Sequence, residues 1–186
     1  MTASDTAFGR APSGERLSLR FLSPDDAPAL YRSVGDPAVM RFWAPGPDGD
    51  IAETARRIAD INEHWSEHGF GDWAVVGKPD GGVIGFAGLH HIAEMDHVNV
   101  GYVLERGRWR QGLGSELCRL VLAYGFRTLD LPEIVAVIDP RNVASIALVE
   151  KYGLCLRSRL TWSGRERVMY AITQEKWLRS LGREKP

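Results

Sequence analysis

The chain has 186 residues, 44% of them hydrophobic and 25% charged, with a formal net charge of −1. That size and balance suit one soluble globular domain with its own core, and they exclude a global basic field of the kind that draws in nucleic acid or an anionic membrane. No apolar run is long enough to span a bilayer. The two cysteines, Cys118 and Cys155, have neither a disulfide framework nor a metal-ligand spacing, so a reducing cytoplasm is the expected home.

Residues 1–14 read as a flexible lead with no signal-peptide core, and a single domain is expected over 15–186. "RLSLRF" at 16–21 alternates as a strand does, placing Leu17, Leu19 and Phe21 on one face. Ser23 then offers an N-cap, with Pro24 in the first helical position and acids in the first turn, and Gly35-Asp36-Pro37 stops that helix. "APGPDGD" at 44–50 reads as a loop. Asp50 and Glu53 open a second helix whose inward stripe is expected at Ile51, Ala55, Ile58, Asn62 and Trp65, with Gly69 closing it.

Beyond Gly69 the period changes. "DWAVVG" and "GVIGFAGLHHI" read as strands joined by the turn "KPDGG". "HVNVGYVL" at 97–104 is another, with Val98, Val100, Tyr102 and Leu104 on one face and Asn99, Gly101 and Val103 on the other. A helix starts within 112–115 and carries Leu117, Leu120, Val121 and Tyr124 at helical spacing. After Pro132, "EIVAVI" is an apolar strand, "DPRN" leads into a short helix from Asn142 to Tyr152, and a hairpin turning at Ser163-Gly164 precedes a terminal helix. The fold class is α/β: one mixed sheet, mostly hairpin-linked, with a βαβ unit across its middle from 97 to 138 and helices on its faces.

One stretch carries chemistry. "ERGRWRQGLGSELCRL" at 105–120 places glycines between a strand and a helix start, where first-turn amides lack partners and the helix dipole is positive. With Arg106, Arg108 and Arg110 beside it, the loop suits a phosphate or pyrophosphate; a tight packing turn is the plainer alternative. Two nucleotide motifs fail here. A dinucleotide fingerprint needs glycine where Leu117 stands, and a P-loop needs Gly-Lys-Ser/Thr where Gly114-Ser115-Glu116 stands.

"GYVLERGRWRQGLGSEL", "VIDPRNVASIALVEKYGL" and "VMYAITQEKW" together resemble the GNAT superfamily of acyl-CoA-dependent N-acetyltransferases, over about residues 15–180. The resemblance is nearest to the subgroup that acetylates ribosomal-protein N-termini. It implies a central sheet splayed between the strand ending at Leu104 and the strand at 134–138, with acetyl-CoA as co-substrate and no metal. On that resemblance, the pantetheine arm pairs with backbone near Tyr102, Val103 and Leu104. The pyrophosphate rests on Arg110, Gln111, Gly112, Leu113, Gly114 and Ser115, and Asn142 reaches the cofactor from the opposite wall. A backbone amide near Val103 would steady the developing oxyanion. The implied partners are acetyl-CoA and a primary amine, either a protein N-terminus or a small molecule, with no nucleic acid or membrane; a homodimer is compatible, dimers being common in that family.

The catalytic groups are less direct. Many relatives carry glutamate where this chain has Asn99, which cannot take a proton but can orient a water. His90, His91 and Glu94 are the nearby bases, and only one of the adjacent histidines can face the cleft. Val149 stands where many relatives have an acidic tyrosine, and Tyr152 is out of register, so Ser145 is the candidate for steadying the thiolate, with helix capping as its alternative. The candidate catalytic set is Ser145, Asn99 and His90. Trp43 and Trp65 are candidates to line the acceptor site, and Cys118 is expected to pack. A non-catalytic acyl-CoA-binding sensor of the same fold is the competing function.

Overall fold

The computed structural model describes residues 10–44 and 46–181. Most of the expected flexible lead, residues 1–9, lies outside them. Residues 12–14 instead fold back on the first strand: the Leu19 amide donates to Pro12 O at 3.0 Å and the Gly14 amide to Leu17 O at 2.8 Å.

Strands β1 (Leu17–Arg20), β2 (Asp72–Gly77), β3 (Val83–Ile92), β4 (His97–Leu104), β5 (Glu133–Ile138), β6 (Cys155–Trp162) and β7 (Arg165–Thr173) form one sheet in the order β1-β2-β3-β4-β5-β7-β6. All neighbours run antiparallel except β4 and β5. Parallel strands need a long crossover, and the helix α4 (Leu113–Arg127) supplies it. The parallel seam is also the weakest: its register holds only Asn99 opposite Val135. Toward Leu104 the two strands part.

Helices α1 (Ala27–Val34) and α3 (Ile51–His68) lie on one face, where Leu30, Val34 and Ile58 pack with Ala74, Phe86 and Val103. On the other face, α4, α5 (Val143–Lys151) and α6 (Gln174–Leu181) bring Leu117, Val121, Val149 and Trp177 against Leu89, Val100, Leu104 and Ile134. The alternation read along β4 is thus the alternation that packs it. Ser23 forms a capping box with Asp26, whose carboxylate accepts the Ser23 amide at 2.8 Å.

Three local expectations change. Ile51 is 45% exposed; the inward position on that turn goes to Thr54, whose hydroxyl donates to the buried Asp48 at 2.9 Å beside Arg57. Trp65 lines no acceptor site. It crosses the sheet end into the other core cluster, against Phe21 at 4.7 Å and Trp73 at 5.0 Å. An unforeseen helix, α2 (Pro37–Met40), follows Gly35, because Asp36 caps the Ala38 amide at 2.8 Å and Pro37 suits the first helical position. The residues that stop α1 also start α2.

Candidate active site

The loop from Glu105 to Gly112 reverses the chain between β4 and α4. Arg110 (φ 60°) and Gly112 (φ 77°) both take the left-handed conformation, which glycine adopts freely and arginine does not. The kink opens α4 with the Leu113 and Gly114 amides donating to no acceptor among the described residues. Arg108 is paired with Asp80, while Arg110 pairs with no acid among the described residues. Behind the loop, Arg16 donates to Gln111 O at 2.6 Å and to Glu116 at 3.2 Å, so the acid in the first turn of α4 faces a cation of its own.

A cavity opens over this loop, walled by Leu104, Arg110, Gly112 and Gly114 on one side and by Asn142 and Ser145 on the other. Gln111 and Ser115, expected in the cradle, do not line it. The Gln111 side chain donates to Gly107 O at 2.9 Å. The Ser115 amide turns to Gly112 O at 3.1 Å, and its hydroxyl takes Lys151 Nζ at 2.8 Å, joining α4 to α5. Val103 does line it. Its carbonyl faces Gly85 on β3, where a methyl group would collide with it. Strand alternation then turns the polar backbone of Tyr102 and Leu104 to the opening, with Leu104 O already accepting Trp109 Nε1 at 2.9 Å.

This cavity meets a second one through the gap between β4 and β5, with Tyr102, Asn142 and Ser145 lining both. Asn142 caps α5, accepting the Ser145 amide at 3.3 Å, so Ser145 is not the cap and its hydroxyl is free to meet Tyr102 OH at 3.4 Å. Burial raises the Tyr102 pKa and keeps its proton on. The sequence reading used only the backbone of Tyr102 and missed this phenol. Its outward signal was merely a tyrosine in a strand.

The second cavity reaches both faces of the sheet, with Trp43, His90, Asn99, Gly101 and Arg167 on the α1–α3 side and Val100, Cys118 and Val149 on the other. Trp43 covers Gly101 and meets Phe86 edge-on at 5.5 Å. Asn99 is opposite His90 in the β3–β4 register, and its Oδ1 accepts the Val137 amide at 2.8 Å. That bond pins β5 where the ladder ends and leaves the Asn99 amide nitrogen toward the cavity. Burial, helped by His64 and His91, lowers the His90 pKa to about 4, so the ring is neutral at neutral pH. Of the adjacent pair His90 faces the cavity, while His91 bonds Asp96 at 3.1 Å and Glu94 is exposed in a turn.

Two further groups border this cavity. Arg167, 4% exposed, donates to Asp139 at 3.1 Å, and Arg141 with Arg167 holds the Asp139 carboxyl well below the usual carboxylate range. Cys118 is pushed up to about 12 by burial and stays a thiol, which removes it as a nucleophile. Among the described residues no group of three or more His, Cys, Asp or Glu is arranged to hold a metal, and no helix is long and apolar enough to cross a membrane.

A family model described as the acetyltransferase (GNAT) domain matches residues 16–154. The chain belongs to the GNAT acetyltransferase family. It is 32% identical over 136 residues to an uncharacterised N-acetyltransferase, p20, of Bacillus licheniformis, a match covering 73% of this chain and 76% of that one. It is 25% identical over 153 residues to the spermidine N(1)-acetyltransferase of Escherichia coli K12, covering 80% and 78%. The solved ribosomal-protein-S5-alanine acetyltransferase of Vibrio fischeri shares the fold with a TM-score of 0.73 at 17% identity, over 90% of this chain and 98% of that one. GNAT enzymes use acetyl-CoA as co-substrate, and the unpartnered amides and left-handed turn at Arg110–Gly114 fit its anionic end.

Proposed function

We propose that this GNAT protein transfers the acetyl group of acetyl-CoA directly to a primary amine in a ternary complex, without a covalent enzyme intermediate. The observation that carries this reading is the continuity of the two cavities at the β4–β5 gap, where both are lined by Phe42, Trp43, Tyr102, Asn142 and Ser145, with a phosphate-type cradle at one end and a half-buried chamber at the other. The cofactor supplies the activated acetyl group. The Leu113 and Gly114 amides with Arg110 hold the pyrophosphate, and the free Asn142 amide nitrogen reaches in from α5.

The remaining residues divide the proton traffic. The Tyr102–Ser145 hydroxyl pair, protonated at neutral pH, donates to the sulfur as it departs. An alkylammonium has a pKa near ~10 and must lose its proton before it attacks. With a value near 4, His90 is a weak base, so its part is to accept a hydrogen bond from the free amine or a water. Asn99 orients the same nucleophile from the neighbouring strand. Protein N-termini and small-molecule amines both belong to this acceptor class, and the spermidine enzyme among the relatives supports the small-molecule branch.

The test is a thiol-release assay with acetyl-CoA over a panel of amines and short peptides, repeated with Asn142→Ala and Ser145→Ala. Turnover on at least one amine, reduced in both variants, is the expected result. CoA binding with no turnover on any amine would convert the reading to an acyl-CoA sensor, and failure to bind CoA would overturn it.

A further inference from the structure

The acceptor face contains a carboxylate that the proposed reaction does not use. Asp72 opens β2, and its Oδ1 is buried with no hydrogen-bond partner among the described residues. It lines a small chamber with Trp43, Arg57, Asp60, His64 and His90. The chamber shares Trp43 and His90 with the transfer cavity, so the two are neighbours across those rings.

The sheet register explains how the two connect. Asp72 is opposite Gly88, and Gly88 is opposite Gly101. The lane from Asp72 to the edge of the β4–β5 gap covers two inter-strand spacings, roughly 10 Å. The backbone at Gly71, just before β2, fills the space directly over Gly88, so the open path passes beside it, under Trp43 and past His90. Phe86 and Val103 border this lane on one side, His90 and Asn99 on the other. Trp43 roofs the end at Gly101, 3.5 Å from where a side chain would begin.

The charges around Asp72 favour a cation. Arg57 is the one cation lining the chamber, and it is committed to Asp48, with Nε 3.1 Å and 3.2 Å from the two carboxylate oxygens. His64 is neutral: Nδ1 donates to Phe70 O at 2.8 Å, Nε2 accepts the His91 amide at 3.0 Å, and burial lowers its pKa. His90 is neutral as well, and Asp60 adds a second acid. Desolvation, only partly offset by Arg57, raises Asp72 to about 7, the response of a carboxylate lacking a counter-ion. A burial of this kind is costly unless a partner arrives.

We propose that Asp72 is the receptor for a second, non-reacting ammonium on the acceptor, so that the protein acetylates a short aliphatic diamine or polyamine along this lane. The inference rests on the acetyl-transfer reading of the adjoining cavity. The reacting nitrogen lies beside Asn99, the alkyl chain passes Gly101 and His90 beneath Trp43, and the distal ammonium pairs with Asp72. Trp43, which borders both cavities, offers its ring to the chain and its charge.

Putrescine and its isosteric monoamine, pentylamine, test this with the full-length protein and acetyl-CoA. Wild type should favour putrescine in kcat/KM by about ten- to hundredfold, the range of a charge-assisted hydrogen bond. Asp72→Asn should erase that preference through KM, with CoA binding unchanged, and Asp72→Ser serves as the second variant. Equal use of the two amines by wild type, or a preference kept in a folded Asp72 variant, overturns the proposal while acetyl transfer stands. If neither amine is acetylated, acetyl transfer is judged on the wider amine panel, and calorimetry of putrescine into the CoA-loaded protein decides the subsite. Binding lost in Asp72→Asn upholds the subsite, whereas equal binding or none in wild type overturns it. Near pH 6, putrescine binding should also release up to about one proton from Asp72, seen as a heat that varies with buffer.

Discussion

The two sides of the β4–β5 gap are built in different ways. The cofactor side comes mainly from one run, Tyr102 to Gly114, with two shorter runs at Ala38–Trp43 and Asn142–Ser145. Its chemistry is mostly backbone: unpartnered amides, a helix dipole and two left-handed residues. The acceptor side gathers Trp43, Asp72, His90, Asn99 and Arg167 from five separated segments, and its chemistry lies in side chains. A backbone site depends on local geometry and tolerates changes of side chain nearby. A site of convergent side chains can change its substrate by single substitutions while the sheet stays the same.

That contrast can be broken first at the loop. Gly112→Val forces a β-branched residue into a left-handed turn with Arg16 Nη2 3.3 Å from the new Cβ, and CoA affinity should fall by roughly tens- to hundredfold. Isothermal titration with CoA checks it. Arg110→Glu should weaken CoA by about tenfold yet leave S-acetylpantetheine, which lacks the pyrophosphate, nearly unaffected; a similar loss for both would remove the phosphate role.

At the junction, Tyr102→Phe and Ser145→Ala should each lower kcat by roughly tenfold or more while KM for acetyl-CoA changes little. The pH profile adds a readout that a packing role would not move. If the phenol donates the proton, Tyr102→Phe should lose the alkaline limb of the wild-type kcat profile.

On the acceptor side the expected effects are on stability. Asp72 binds its proton in the folded protein up to about pH 7, against 3.8 as the ordinary value. Between those values the folded state holds a proton that the unfolded chain has shed, so this group's contribution falls as pH rises from about 4 to 7. Asp72→Asn should therefore gain on wild type across that window, by about 2 kcal/mol at neutral pH without amine, measured by urea unfolding at several pH values. His90 acts in the opposite sense. Its folded value of about 4 lies below the ordinary 6.5, so its contribution is present above about 6.5 and is lost as pH falls toward 4. Smallest of all, Asn99→Leu should cost about 1–2 kcal/mol by orphaning the Val137 amide, a fall of a few degrees in Tm.

Much of the fold was legible because its causes are local. Alternation along β4, the Ser23 and Asp50 caps, the Gly69 stop and the turn at Ser163-Gly164 are each set by neighbours a few residues away. The misses share another cause. Ile51 yielded to Thr54 because Asp48 and Arg57 anchor that turn from outside the helical pattern. The Ser115 amide is taken by Gly112 O, and its hydroxyl by Lys151 from a helix begun 28 residues later.

By itself, then, the amino-acid sequence determined the one-layer mixed sheet, the single parallel crossing and the glycine-bearing turn at Arg110–Gly114 that opens α4. Those features depend on backbone preferences and on periods of two and 3.6 residues. Only the tertiary structure decided which hydroxyl meets Ser145, which histidine faces the cavity, and that Asp72 lies unpaired at the end of a row of glycines. Each of these depends on strand register and on the packing of distant segments. Desolvation and missing partners then set the charge of each group, and neither can be counted along a chain.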